Sequence, residues 1–497
     1  MLLPPKEQLS EADVRLGLRM VIGDGLATEA MTVLTGGTFL TAMALLLGAS
    51  NFQIGVLAGL PTFTNIFQLL SIWLVGKFNN RRLVSVGCAL LARLPLVVIG
   101  ALALASKESI HLLLSLLFFY YLFGSIAGPS WNSWIKDLVP ENILGTYFGR
   151  RIRLSQLLNV SLSITLALVL DAIRSRAPEL ERYAYALMFL LGGVVGITGS
   201  MILSRAPEPQ SKLSETHFLR LLRQPLLDPN FSRLLLFNAA WTFALNLATP
   251  FFTVYMIKVL NLPLSYIVLL SSIGLVSSIL TVRVWGKMAD RYSNKTIIAL
   301  GGPLYVLVIV GWCFVGIYSH LWANLCLLLL LHIGAGISTA GINLSLTNIG
   351  LKLSPKEDAI VYLSTQNIIV ALFSSVAPLL GGVLADFFTS RHLDITAQWM
   401  SPHYHREFRL LLLHSWNFLF LIGAGLALVA LQLLNAVTER GEVDRDKLRR
   451  LVRHTIKSNL KETFLIGDII KGQEQVRLLI RRRLFRRDGL PGDVGES

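Results

Sequence analysis

The stretch Trp285-Gly286-Lys287-Met288-Ala289-Asp290-Arg291-Tyr292-Ser293-Asn294-Lys295 decides how this chain is read. It is short, basic and led by glycine, and it lies between two long apolar runs. A shortened copy, Val75-Gly76-Lys77-Phe78-Asn79-Asn80-Arg81-Arg82, lies between two apolar runs in the other half of the chain. Copies of one polar turn at matching places in an apolar chain mark a duplicated membrane bundle.

Composition sets the class. Of 497 residues, 53% are hydrophobic and only 15% charged, against about 25% charged in an average soluble protein. Apolar runs long enough to cross a bilayer recur from end to end, as in a polytopic α-helical membrane protein. Met1 to Arg19 lacks the basic, apolar, small-residue order of a cleaved signal peptide. The net charge is +15, and the basic residues cluster in alternate loops. Lys77, Arg81 and Arg82 lie in one, Lys136, Arg150, Arg151 and Arg153 in the next, and Arg283, Lys287, Arg291 and Lys295 in a later one. That bias orients a chain during insertion, so these loops and both termini are expected in the cytoplasm. Topology therefore accounts for the charge without a nucleic-acid partner. Cys88, Cys313 and Cys326 sit in apolar runs without paired spacing, so no disulfide, metal site or cofactor is expected.

Twelve spans are expected, in an all-α membrane fold of two six-helix bundles related by a pseudo-twofold axis. The first six lie near 22–47, 51–75, 83–105, 109–134, 147–170 and 184–204. The last six lie near 232–257, 264–285, 296–317, 321–349, 359–388 and 409–436. Residues 1–21 form an N-terminal cytoplasmic segment, with a capped surface helix starting at Ser10-Glu11-Ala12-Asp13. The bundles occupy 22–204 and 231–436, joined by a polar, proline-bearing linker at 205–230. Residues 437–497 form a basic cytoplasmic tail. In it Val476, Leu479, Ile480 and Leu484 share one helical face beside Arg481 to Arg483, a pattern that suits anionic lipid headgroups.

A second matching pair of turns supports duplication. Lys136-Asp137-Leu138-Val139-Pro140-Glu141 precedes Tyr147, and Leu351-Lys352-Leu353-Ser354-Pro355-Lys356 precedes Tyr362 at the same offset from the proline. Six plus six spans, a long central linker and Gly-Lys-x-x-Asp-Arg-x-Ser-Asn-Lys between spans eight and nine resemble the major facilitator superfamily of secondary transporters. The segment Trp131 to Glu141 also resembles poorly characterised bacterial members of that superfamily. The resemblance covers roughly residues 15–436 and implies a monomer that carries a small-molecule substrate by alternating access, with no enzymatic activity. It also implies that Gly76, Lys77, Gly286, Lys287, Asp290 and Arg291 belong to turns that latch helix ends together in one conformation. In the first turn Asn80 stands where the family has an acid, which weakens its case. Gly286 is expected to permit close helix approach, and Asp290 to cap or offset the ninth span and pair with Lys287 or Arg291.

Ionisable groups inside spans are costly unless paired or wetted, so each is a candidate. Arg93 lies about 18 Å along the third span, near mid-membrane. Pro95 frees the Leu91 carbonyl, and either that carbonyl or an acid that the sequence does not identify is expected to hold it. The resemblance places third spans outside the pathway, which favours a structural arginine. Asp24 and Glu29 lie in the first span. Glu29 shares a side with Thr32 and Thr35; Glu29, Asp24 and Arg93 are the candidates for proton coupling, and an interfacial carboxylate near the helix N-terminus is the plainer alternative for Glu29.

Polar stripes at helical spacing follow on three more spans: Tyr121, Ser125, Gly128 and Asn132; Asn238, Thr242, Asn246 and Thr249; and His332, Gly336, Thr339 and Asn343. The resemblance makes spans one, four, seven and ten line a central cavity, so these residues are expected to face the solute; interhelical packing is the plainer alternative. Trp131, Trp134 and Trp241 are candidates for stacking a ring. No P-loop or metal-ligand spacing occurs. The fifth span lacks the Gly-Pro run typical of drug–proton antiporters, and a related string, Ala377 to Gly382, lies in the eleventh. A lipophile exporter, and a non-transporting receptor or scaffold working through the tail, are the alternatives to a solute transporter.

Overall fold

The computed structural model describes residues 5–7, 9–105, 109–210, 223–316, 320–355, 358–401, 404–413 and 415–439. The basic tail and much of the linker lie outside them. Among the described residues twelve helices are long and apolar enough to cross a membrane. Spans 1 to 6 are Glu11–Leu46, Asn51–Phe78, Arg81–Leu104, Ile110–Leu138, Glu141–Arg176 and Pro178–Leu203. Spans 7 to 12 are Pro229–Lys258, Leu264–Tyr292, Asn294–Trp312, Leu321–Leu353, Val361–Phe388 and Trp416–Ala436. An even count brings residues 11 and 436 to one side, here called the terminal side.

The boundaries correct the expectation in three places. The capping box at Ser10 and Asp13 is present, but the helix it starts runs unbroken to Thr35 and is the first span itself. The helix that carries span 12 begins only at Ser415, not near 409; before it, strand β1 (Leu393–Ser401) pairs antiparallel with strand β2 (Tyr404–Leu413). In Glu407-Phe408-Arg409-Leu410 charged and apolar residues follow period two, which suits a strand outside the membrane. Lastly, the turn at 286–295 is almost wholly helical. Span 8 runs to Tyr292 and span 9 starts at Asn294, leaving Ser293 at φ +117° as the joint.

Both halves break their first helix. Span 1 stops at Thr35 and restarts after Gly36, with Gly37 at φ +55°, a left-handed conformation that glycine takes without strain. Span 7 restarts at Pro250, which has no N–H to donate and begins a helix readily.

The halves meet along two seams. Span 2 lies against span 11 with no room for side chains between them. A Cβ on Gly55 would collide with the Pro378 carbonyl, one on Gly59 would stand 2.6 Å from the Ser375 oxygen, and one on Gly382 2.5 Å from the Asn51 oxygen. At the end of this seam the Asp386 carboxylate accepts the N–H groups of Asn51 (3.2 Å) and Phe52 (3.0 Å). The second seam joins spans 5 and 8. There the Asp171 carboxylate accepts the N–H groups of Leu264 and Ser265, both at 2.8 Å. All of these contacts lie on the side away from the termini.

Candidate functional site

A cavity of about 530 Å³ opens inside the first half. Its lining residues run from Asp24 to Leu203, so the second half contributes none. Asp24, Thr32, Arg93, Tyr121, Ser125 and Asn132, selected above from three different spans, converge here. Glu29 and Thr35 do not. Glu29 turns toward span 5, where its Oε1 accepts from Asn159 Nδ2 at 2.7 Å. Thr35 is buried and donates to the Met31 carbonyl.

Arg93 is corrected on two counts. It lines the cavity, on a span that the resemblance sets apart from the solute path. Its Nη1 donates to the Ala89 carbonyl at 2.8 Å, not to Leu91, and its Nη2 to Thr28 Oγ1 at 3.4 Å. The acid in its field is Asp24, across on span 1.

Arg151 escaped the sequence reading, because its neighbours Arg150 and Arg153 make it look topogenic. Its guanidinium lies 4.9 Å over the Trp131 ring inside the cavity. It fits there because residue 25 is glycine: a Cβ on Gly25 would stand 2.7 Å from Arg151 Nε. Trp131 is the one of the three tryptophans that reaches the cavity. Trp134 is fully buried and donates to the Pro207 carbonyl, and Trp241 stacks on Phe237.

The stripes on spans 7 and 10 do not line this cavity. Asn238 and Trp241 are 1% and 2% exposed. Asn246 Nδ2 donates to the Thr242 carbonyl, Thr339 Oγ1 to the Ala335 carbonyl, and His332 Nδ1 lies 2.8 Å from the Leu328 carbonyl. Asn343 is exposed elsewhere. Gly336 touches the Gly274 backbone, so that face of span 10 is spent on packing against span 8. The second half meets polar residues of the first through span 8 instead. There Ser271 and Ser272 share a smaller recess, about 240 Å³, with Thr32, Asn159 and Ser163.

Neither polar turn reaches across between halves among the described residues. A Cβ on Gly76 would meet open space and one on Gly286 only Leu344, at an ordinary 3.7 Å, so Gly286 serves no close approach. Lys77 lies over Trp73, and Arg291 over Tyr292. Lys287 and Asp290 are exposed. Span 9 is capped by Ser293, whose Oγ accepts from the Thr296 N–H, and by a residue that sequence reasoning missed. This is Glu439, just past span 12. Its carboxylate accepts from the N–H groups of Asn294 (3.3 Å) and Lys295 (2.8 Å), from Asn294 Nδ2 and from Lys352 Nζ (3.1 Å). Burial pushes this carboxyl up, but those hydrogen bonds outweigh it and hold it below the ordinary glutamate value.

The first half repeats the device. Glu208, just past span 6, accepts from the N–H groups of Arg81 (2.7 Å) and Arg82 (3.2 Å) at the start of span 3. Arg81 Nη1 also pairs with Asp137 Oδ2 at 2.6 Å. Arg81 and Arg82 are 2% and 1% exposed, so neither is a free topogenic charge. Each terminal-side cluster thus closes within its own half.

A model of the Major Facilitator Superfamily matches residues 26–378. The chain belongs to the major facilitator superfamily. As a member it is a transmembrane transporter of solutes, in the superfamily's fold of two six-helix bundles. No curated protein matches it. Among solved structures it is similar to the nucleoside transporter NupG, at 13% identity and TM-score 0.62 over 85% of this chain and 98% of that one. It is also similar to a bacterial homologue of the iron transporter ferroportin in an inward-facing state, at 12% identity and TM-score 0.59 over 87% and 100%. A bacterial homologue of the human lysosomal transporter Spinster matches at 15% identity and TM-score 0.56, over 77% and 84%. At such identities the likeness is one of fold.

Proposed function

We propose that this protein carries a small solute by alternating access, as a monomer in a bacterial inner membrane with both chain ends in the cytoplasm. The structure is then its cytoplasm-facing state, with the solute held in the first-half cavity. The bundles would occupy 22–204 and 231–436, and a swing about the two seams would expose the cavity to the opposite face.

One observation carries this reading: the carboxylates that bridge the halves, Asp171 and Asp386, lie together on the side away from the termini. Those on the terminal side, Glu208 and Glu439, cap helices of their own half. A molecule bonded across one face and parted on the other is in one of two end states. Of the coupling candidates, Asp24 has the better placement for exchanging a proton. It lines the cavity, while Glu29 is engaged with Asn159.

Paired spin labels test the swing, after replacement of Cys88, Cys313 and Cys326. Turnover should shorten the distance between labels at Lys77 and Lys287 and lengthen that between labels at Glu179 and Tyr266. A single unchanging distance for both pairs would reject alternating access here.

A further inference from the structure

The cavity carries more positive than negative charge. Two guanidinium groups, Arg93 and Arg151, face it with one carboxylate, Asp24. Both cations act on Asp24 through space, yet among the described residues none of the three forms an ion pair within 4 Å. Arg93 is 8% exposed, and its Nε is buried with no acceptor. The Nε of Arg151 is likewise buried without one. The Arg151 guanidinium lies over the face of Trp131, and stacking leaves the in-plane N–H groups free. One buried guanidinium and one half-buried guanidinium against one carboxylate leave an excess positive charge at the cavity, which is costly until an anion enters.

We propose that the transported solute is a monoanion: a carboxylate on a compact organic body, held between Arg93 and Arg151. This rests on the reading that the solute occupies the first-half cavity. A carboxylate matches the planar fork of a guanidinium. One negative charge balances the lining, whereas a second, as on a phosphate ester, would stand against Asp24. Met31, Pro61, Ala89 and Ala92 provide apolar wall for the body, and the Tyr120 and Tyr121 rings flank it. Asn65 and Gln68 add hydrogen-bonding groups at the span 2 wall. The volume lies within the usual range for small-ligand sites.

The test uses the full chain in phosphatidylcholine nanodiscs, with melting temperature read against ligand concentration. Benzoate, lactate and octanoate present one carboxylate on three bodies; benzamide, benzylamine and phenyl phosphate are the comparisons. At least one carboxylate should raise the melting temperature saturably, and its neutral, cationic and phosphate counterparts should do less. Arg151→Gln should weaken that binding roughly tenfold or more. Gly25→Ala, which displaces Arg151 without removing its charge, should weaken it too.

Asp24→Asn should tighten binding, because it removes the competing anion; a misfolded variant could not do that. The same shift in phosphatidylglycerol nanodiscs supports a free solute, and its loss there would assign the site to a lipid headgroup and overturn the proposal. Stabilisation by benzylamine that Asp24→Asn abolishes overturns it as well, as does no response to any carboxylate. The spin-label distances use none of these ligands, so transport can stand while the anion assignment falls.

Discussion

Asp171 and Asp386 hold equivalent places at the ends of spans 5 and 11, and each carboxylate receives the first two N–H groups of a helix in the opposite half. A helix N-terminus carries about half a positive charge and unsatisfied donors, so a bidentate carboxylate is a strong tie there. Unlike an apolar seam, the tie depends on direction and breaks once the helix end swings away.

Removing either tie should therefore favour the opposite end state. Asp171→Ala and Asp386→Ala should each destabilise the closed seam by about 1.5–3 kcal/mol, the range for hydrogen bonds to a charged group. The Glu179–Tyr266 label pair should then populate its longer distance without solute. A distribution identical to that of the unaltered chain would refute the tie.

The seam glycines give a steric test. Gly59→Ala places a methyl group against the Ser375 carbonyl and should hold the seam apart, at a cost of about 1–3 kcal/mol for overpacking. Uptake into proteoliposomes should slow. Gly76→Ala and Gly286→Ala meet no such obstacle, and their transport rates should match that of the unaltered chain.

Glu439 makes stability depend on pH. Its carboxyl is held below the ordinary glutamate value of 4.5 when folded. Its contribution is therefore complete above that value and is lost as pH falls through the lower, folded one. Thermal melts should show the second half losing stability below about pH 4.5, with Glu439→Gln flattening that dependence. An equally steep profile in Glu439→Gln would show that another group is responsible.

Asp24 and Glu29 divide on coupling. Asp24→Asn should keep solute exchange but lose accumulation driven by a proton gradient. Glu29→Gln should accumulate normally, since its amide can still meet Asn159. The reverse pattern would return the coupling role to Glu29.

The twelve spans and the duplication were legible because hydrophobic length and basic flanks are properties of consecutive residues. The stripe on span 4 stayed together at the first-half cavity because a 4-3-4 spacing keeps to one face whatever the helix meets. The same spacing failed on span 10, where Gly336 made that face a packing surface through contact with Gly274. Arg151 was hidden because a basic residue in a basic run reads as topogenic until Gly25 and Trp131 are seen around it. Asp290 looked like the cap of span 9, being close in sequence. Ser293 and Glu439 supply the cap instead, and Glu439 lies 145 residues from Asn294, as Glu208 reaches Arg81 over 127.

By itself, then, the order of residues determined that the chain is a membrane bundle built twice, since burial in lipid requires long apolar helices and duplication leaves repeated turns. Only the folded chain decided which charges are paired, which face of each helix is spent on a neighbour, and on which side the halves are bonded together. Those outcomes rest on contacts a few ångströms long between residues far apart in sequence, and no local pattern encodes them.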